Sequence, residues 1–350
     1  MSRLTVGIPV FNAMPYLPES LDSILRQTHG DFEILVVNDG STDDSREYLE
    51  TIRDRRLRVI HQPNQGITAA LNRMLSEATT PWLVRHDADD VAYPHRIART
   101  VEFIERYPEA GMFYSLAEYY PKGSVAQFRT TKGSPEDIRK LVLAGYLPAI
   151  CHPSVTLNAK RALSAGGYRF NLHVEDIDLW WRLALEHQVR FIPEVLVGFR
   201  QNLQSVSSTN LELQAVNTLY IQYLLLSHLW KSEPLPYDAA RVALANLFDR
   251  RKLAFKTHIR AFNMAMGKGR RLDALCHLSR AMTTSPVDFS RRFFDEVWHR
   301  REIGLGEPPE SFLKHKALLW SAPKALKPGA ILPKPEDSFE LSVAQPGTKA

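Results

Sequence analysis

Hydrophobic and polar positions switch repeatedly between strand-like and helix-like spacing over the first third of the chain. Leu4-Thr-Val-Gly-Ile-Pro-Val10 is an apolar run of strand length that ends at Pro9 and Asn12. Leu17, Leu21, Ile24 and Leu25 then recur at helical spacing, with Pro15 and Pro18 in or before the first turn, where proline is tolerated. A second strand is predicted at Phe32–Val37, and Thr42 or Asp43 is expected to cap the helix carrying Tyr48, Leu49 and Ile52. Leu57–His61 and Trp82–His86 read as further strands, Gly66–Leu75 and Pro94–Tyr107 as further helices. This alternation predicts an α/β fold, a mostly parallel sheet with helices on both faces.

Beyond Gly111 the pattern loosens. Strands are expected at Met112–Tyr120, Cys151–Leu157 and Val189–Phe199, the last at an edge because of Pro193. A short helix is expected at Pro135–Ala144, a helical turn at Arg161–Ala165, and a helix entered through Glu175, Asp176 and Asp178. From Leu211 to Trp320 the reading is helical; residues 321–350 hold five prolines and no periodicity, which predicts a flexible tail. The division is then 1–208, 209–320 and 321–350.

In such sheets ligands bind beyond the carboxyl ends of the strands. The polar clusters fall there: Pro9–Asn12, Asn38–Asp43, His61–Gly66 and His86–Asp90. The sharpest is Trp82-Leu-Val-Arg-His-Asp-Ala-Asp-Asp90, where an apolar run ends in three carboxylates within four residues. Carboxylates that close repel unless a cation sits between them, so the stretch is a candidate divalent-metal and phosphate site; the alternative is an acidic turn capping the next helix. For Glu175, Asp176 and Asp178 the alternative to chemistry is compensation of the helix dipole. His86 reads either as a buried neutral histidine or as a substrate contact, and His152, Trp180 and Trp181 either as core or as sugar contacts.

Bulk properties narrow the class. The chain has 350 residues, 44% hydrophobic and 24% charged, typical of a globular protein. No GxGxxG, GxxxxGKS, GxxxxGKT or GxSxG run occurs, which leaves dinucleotide, P-loop and nucleophile-elbow chemistry unsupported. Cys151 and Cys276 lack metal or disulfide spacing, no signal-peptide pattern precedes Leu4, and no apolar run reaches membrane-span length. A reducing cytoplasm is the expected setting. Net charge is +5, yet residues 241–330 hold 18 Lys/Arg against 8 Asp/Glu. That excess reads as a solvated helical surface or as peripheral contact with the anionic inner face of a membrane. Aromatics are not interleaved with it, so nucleic acid is not an expected partner.

The remaining chemistry is group transfer from a nucleoside diphosphate donor. Asp39 can bond a base or ribose, a metal on Asp89 and Asp87 can neutralise a diphosphate, and a separate carboxylate can deprotonate a hydroxyl. The order Val6-Gly-Ile-Pro-Val-Phe-Asn-Ala13, Leu21-Asp-Ser-Ile-Leu-Arg-Gln-Thr28, Asp31–Asp43, Asn64-Gln-Gly66, Asp87-Ala-Asp-Asp90, Pro94-His-Arg96 and Glu175-Asp-Ile-Asp-Leu-Trp180 resembles family 2 glycosyltransferases of the GT-A fold over residues 4–200. The resemblance implies that Pro9, Phe11, Asn12, Asp39, Asn64, Gly66 and Asp87 line the nucleotide pocket. It implies Asp89 as the Mg2+ or Mn2+ ligand, Asp176 as catalytic base with Glu175 on the acceptor side, and Arg200 on the diphosphate. Transfer from a nucleotide-sugar, commonly a UDP-sugar, to a carbohydrate or lipid-linked hydroxyl with inversion would follow, in cell-surface polysaccharide or lipopolysaccharide synthesis. Asn202 stands where many relatives carry a histidine, which removes one expected metal contact from that loop. The rival readings are a metal-dependent nucleotidyltransferase, disfavoured by the loop Phe11-Asn-Ala-Met-Pro15, and a non-catalytic nucleotide-sugar binding module.

Overall fold

Successive residues of the second strand belong to two different cores. Ile34 and Val36 pack with helices on one face of the sheet, Leu35 and Val37 with helices on the other. This is the two-sided burial that an uninterrupted apolar strand implies. The structure is a computed structural model and describes residues 4–121, 130–200, 211–246, 250–267 and 269–290. The expected contents of 201–208, the boundary at 208, and the expected helix and tail beyond 290 lie outside the described residues.

Strands β1 (Leu4–Val10), β2 (Glu33–Asp39), β3 (Leu57–Gln62) and β4 (Trp82–Arg85) are parallel in the order β3-β2-β1-β4. The sheet continues through β7 (Val155–Asn158), β6 (Ala110–Tyr120), β8 (Gln188–Arg200) and the two-residue β5 (Val91–Ala92). β7 runs antiparallel to both its neighbours, and β6 and β8 are parallel to each other. Helices α1 (Leu17–Leu25), α2 (Ser45–Thr51) and α4 (Arg96–Arg106) cover one face. Helices α3 (Ile67–Glu77), α5 (Pro135–Leu143), α6 (Ala159–Ser164) and α7 (Glu175–Glu186) cover the other. The four parallel strands bring the carboxyl ends of β1–β4 to one edge, where the polar clusters meet.

Three local expectations are corrected. The strand expected at Cys151–Leu157 opens as a 3-10 turn at His152–Ser154, because Pro153 has no N–H to give a ladder and Ser154 N donates to the Cys151 carbonyl instead. Neither Thr42 nor Asp43 caps α2; its N-cap is Asp44, which makes no side-chain cap, and Asp43 is drawn to Met14 N and Ser45 N. β5 carried too few residues for any period. β8, expected at an edge, lies instead between β6 and β5; Pro193 falls where the β6–β8 register slips, Ser115 pairing with Ile192 and Leu116 with Val195, so the missing donor sits in a bulge.

After the sheet come α8 (Leu211–Leu229), α9 (Tyr237–Asn246), α10 (Arg250–Gly267) and α11 (Arg271–Thr284). α8 is largely buried. Val216, Leu219, Ile221 and Leu225 enter the same core as α7, Gln222 Nε2 donates to the Gly145 carbonyl at 2.9 Å, and Asn217 Nδ2 to the Leu172 carbonyl at 2.7 Å. No helix among the described residues is long and apolar enough to cross a membrane.

Of the three acids opening α7, Asp178 is structural. It is fully buried and accepts from Arg169 (Nε 2.9 Å, Nη2 2.6 Å) and from Arg182 Nη2 (2.7 Å). Removing one member of such a cluster leaves buried charge without a partner. Asp178→Ala is expected to lower folding stability by about 3–5 kcal/mol, measured by urea unfolding with an unchanged slope.

Candidate active site

The ends of β1, β2 and β3 form a braced rim. Asn12 adopts φ +49°, and its side-chain oxygen accepts from Thr42 N at 2.7 Å and Asp43 N at 3.3 Å, while its own N–H donates to Ser41 Oγ at 3.0 Å. Asn12 therefore ties the β1 loop to the β2 loop. Asp39 is buried; its carboxylate accepts from Gln62 Nε2 (2.7 Å), Gln65 N (2.9 Å) and Gly66 N (2.9 Å). Asn64 Oδ1 also accepts from Gly66 N. Gly40, at φ +73°, is required twice over: a Cβ there would stand 2.6 Å from Asn64 N. Pro9 is buried in β1, and Phe11, 51% exposed, is the aromatic face left open beside these loops.

The end of β4 is a buried charge cluster. Arg85 is 2% exposed at its side chain; Nη2 donates to Asp87 Oδ1 and Nη1 to the His86 carbonyl, both at 2.5 Å. Arg96 is buried as well and donates through Nη2 to the Arg85 and Pro153 carbonyls. Its Nη1 donates to His86 Nδ1 at 3.0 Å. That bond sets the His86 tautomer, so the ring proton sits on Nε2 and is donated to Ser20 Oγ at 3.1 Å; Ser20 in turn donates to the Asp87 carbonyl at 2.9 Å. Burial first, then Arg96 and Arg85, hold His86 well below the usual histidine range. His86 is thus the buried neutral histidine, part of the scaffold that fixes the acidic turn.

The acids themselves are short of positive charge. Burial, then repulsion from Asp87, pushes Asp89 up to about 6. Asp90 is fully buried; Oδ1 accepts from Arg200 N at 2.7 Å, Oδ2 has no partner, and burial with Asp87 and Asp89 raises it well above the carboxylate range. Asp90 is the acid that ties this turn to β8, while Asp87 is paired with Arg85 through Oδ1 and Asp89 lies beside it. A hard-oxygen donor set under mutual repulsion fits Mg2+ or Mn2+. Among the described residues no three metal-ligating side chains converge, so a cation here would take one or two carboxylates and draw its other oxygens from phosphate and water, the usual Mg2+ pattern.

A second acid pair comes from α7. Its approach is pinned to α3: Asn72 Nδ2 donates to the Tyr168 carbonyl at 2.7 Å, and Thr68 Oγ1 to the Phe170 carbonyl at 2.9 Å. Glu175 is buried with Oε2 unpartnered, and burial plus Asp176 raises it to about 8. Asp176 is half-buried and raised by burial to about 6. Both feel Arg85 and Asp87, so the fold unites acids 86 or more residues apart around one arginine. Trp180 and Trp181 are buried and belong to the core, and His152 packs against Trp180 with Nε2 within 3.1 Å of the Tyr168 hydroxyl.

Arg200 reaches the site but is engaged. Its guanidinium donates to the Asp89 carbonyl at 2.6 Å and pairs with Glu19, lying 5.0 Å from the Tyr16 ring centre and 4.9 Å from that of Tyr120. Sequence reasoning missed Glu19, Arg85 and the Tyr168–His152 pair. Arg85 alone left a trace: a lone arginine closing an apolar strand two residues before an aspartate.

The sheet order is that of the GT-A fold. Residues 5–165 match the family model described as glycosyl transferase family 2, and this stretch of the chain belongs to that family. The chain is 32% identical over 146 residues to the uncharacterized glycosyltransferase alr2836 of Nostoc sp. strain PCC 7120, covering 40% of this chain and 45% of that protein. It is 28% identical over 195 residues to the amylovoran biosynthesis glycosyltransferase AmsE of Erwinia amylovora, covering 55% of this chain and 73% of that one. For eight of the curated relatives it matches, the share of the relative's own length that the chain spans runs from 17% to 73%. In fold it is similar to Staphylococcus aureus TarS residues 1–349, solved in complex with UDP-GlcNAc, with a TM-score of 0.55 at 14% identity, covering 81% of this chain and 91% of that one.

The His86 network yields a pH prediction. The folded protein refuses a proton that the unfolded chain accepts near 6.5, so stability is lost as pH falls below that value. His86 ring nitrogens followed by NMR should keep the Nε2–H neutral pattern from pH 8 down to 5, while denaturation midpoints decline in parallel; an ordinary histidine titration would contradict the assignment.

Proposed function

We propose that this chain transfers a sugar from a nucleoside diphosphate donor, a UDP-sugar, to a hydroxyl acceptor with inversion of the anomeric centre. The observation that carries the reading is the union of two acid pairs, Asp87 with Asp89 and Glu175 with Asp176, about the buried Arg85. One pair suits a diphosphate leaving group and the other a nucleophile, and a single in-line displacement needs both.

Pro9, Phe11, Asn12, Asp39, Asn64 and Gly66 are proposed to hold the nucleoside, with Phe11 offering its exposed face to the base and the braced loops offering backbone groups. Asp39 would act chiefly by shaping residues 62–66, since both its oxygens already accept from them. Asp87 would meet the ribose. Asp89, with Asp87 beside it, would hold Mg2+ or Mn2+, which when bound supplies Lewis-acid stabilisation of the departing diphosphate. Asp176 takes the proton from the acceptor hydroxyl as the new C–O bond forms and the bond to the diphosphate breaks. Glu175, raised to about 8, is protonated at neutral pH and can donate to an acceptor oxygen. Arg200 would reach the diphosphate by giving up Glu19.

The AmsE name supports a role in polysaccharide synthesis, and the TarS complex supports a UDP-linked donor. A carbohydrate or lipid-linked acceptor is proposed on the same grounds, with the enzyme cytoplasmic and peripheral to the inner membrane face. Free nucleoside diphosphate, released in proportion to acceptor consumed, is the expected product; free pyrophosphate would establish the nucleotidyltransferase instead.

Three outcomes are expected. Asp176→Asn should leave donor affinity intact by calorimetry and lower the rate by about 10²–10⁴. Because the base works ionised, kcat/KM should rise with pH through a value near 6 and lose that limb in the variant. Asp89→Ala should abolish the part of donor affinity that EDTA removes.

A further inference from the structure

Helices α10 and α11 pack through Phe255, Ile259 and Ala281, with Phe289 against them, leaving the far side of α11 uncovered among the described residues. On that side Leu272 is 81% exposed, Leu275 60% and Met282 48%, with Val287 at 60% just beyond the helix end. At about 100° per residue, Leu272, Leu275, Cys276, Ser279, Met282 and Thr283 share one face, opposite the buried Ala274 and Ala281. Arg271 and Arg280, both exposed, fall on its two edges. The stripe contains no acid, and Asp273 at its border is paired with Arg270 at 2.6 Å. Residues 250–290 carry nine Lys/Arg against two Asp/Glu.

We propose that this face of α11 is a membrane-docking surface, which lies in the interfacial plane of an anionic bilayer with Leu272, Leu275 and Met282 among the acyl chains and Arg271 and Arg280 at the headgroups. An apolar stripe edged by arginines is the pattern that partitions into an anionic interface. The charge excess selects anionic lipid over a neutral surface, and a helix of 14 residues lies on a bilayer rather than crossing it. The inference goes beyond the reading of the catalytic site and stands whether or not that reading holds.

The test is sedimentation of the full chain with phosphatidylcholine vesicles, with and without phosphatidylglycerol, at low and high salt. Binding to the anionic vesicles alone, weakened by salt, is expected. Leu272→Glu with Leu275→Glu should lower partition by more than about tenfold. Arg271→Glu and Arg280→Glu should each lower it by roughly fivefold or more at low salt. Leu163→Glu, at an exposed leucine on α6, should change nothing. Circular dichroism and turnover of a soluble acceptor would show the variants folded. Absence of binding, equal binding to neutral vesicles, or unchanged binding of the leucine variant would each overturn the proposal. So would a change in solution mass by light scattering without a change in lipid partition, since the stripe would then join copies of the chain.

Discussion

The site depends on one buried cation. Arg85 closes a strand whose other residues are apolar, and its guanidinium is held between the turn bearing Asp87, Asp89 and Asp90 and the helix start bearing Glu175 and Asp176. Without it, five carboxylates would gather in a poorly solvated space with, among the described residues, Arg200 and Arg96 as the nearby cations. Arg96 is itself spent on two carbonyls and His86, and burial lowers it to about 10. The protein supplies some positive charge to its acid cluster and stops short of neutralising it. Asp89 and Asp176 are left near 6, raised by burial above the ordinary carboxylate range.

Around that centre the rim is built for rigidity. Asn12, Asp39 and Asp43 spend side-chain oxygens on backbone N–H groups of neighbouring loops, and Asn64 on one within its own loop. Loops fixed in this way present backbone donors and acceptors without an ordering cost on binding. Such residues contribute through the shape they impose, and Phe11 supplies the open surface.

Much of this was legible in the sequence because β1–β4 are buried on both faces, so their apolar runs are continuous, and the polar clusters that follow mark the carboxyl edge. The order of motifs carried the family. What stayed hidden depends on distance through space. Glu19 meets Arg200 from the far end of the domain, and nothing near either residue announces the pair. Asp39 and Asn12 were recognisable as site residues, yet their engagement with loops needed coordinates. Asp178 looked the same as Asp176 in sequence; its ion pairs with Arg169 and Arg182 mark it as the structural acid. β5 has two residues and no period to read.

The packing of α8 bears on how the chain can be divided and how it can diversify. The family match ends at residue 165, but the core beneath α3 and α6 is completed by α7 and α8. Residues 5–165 are therefore not a self-sufficient module: cut free, they would expose to water the apolar side chains that α7 and α8 cover. Change in this half is coupled to folding itself, so variation on this scaffold is confined to surface residues of α7 and α8 while their inward leucines and valines hold the second core together.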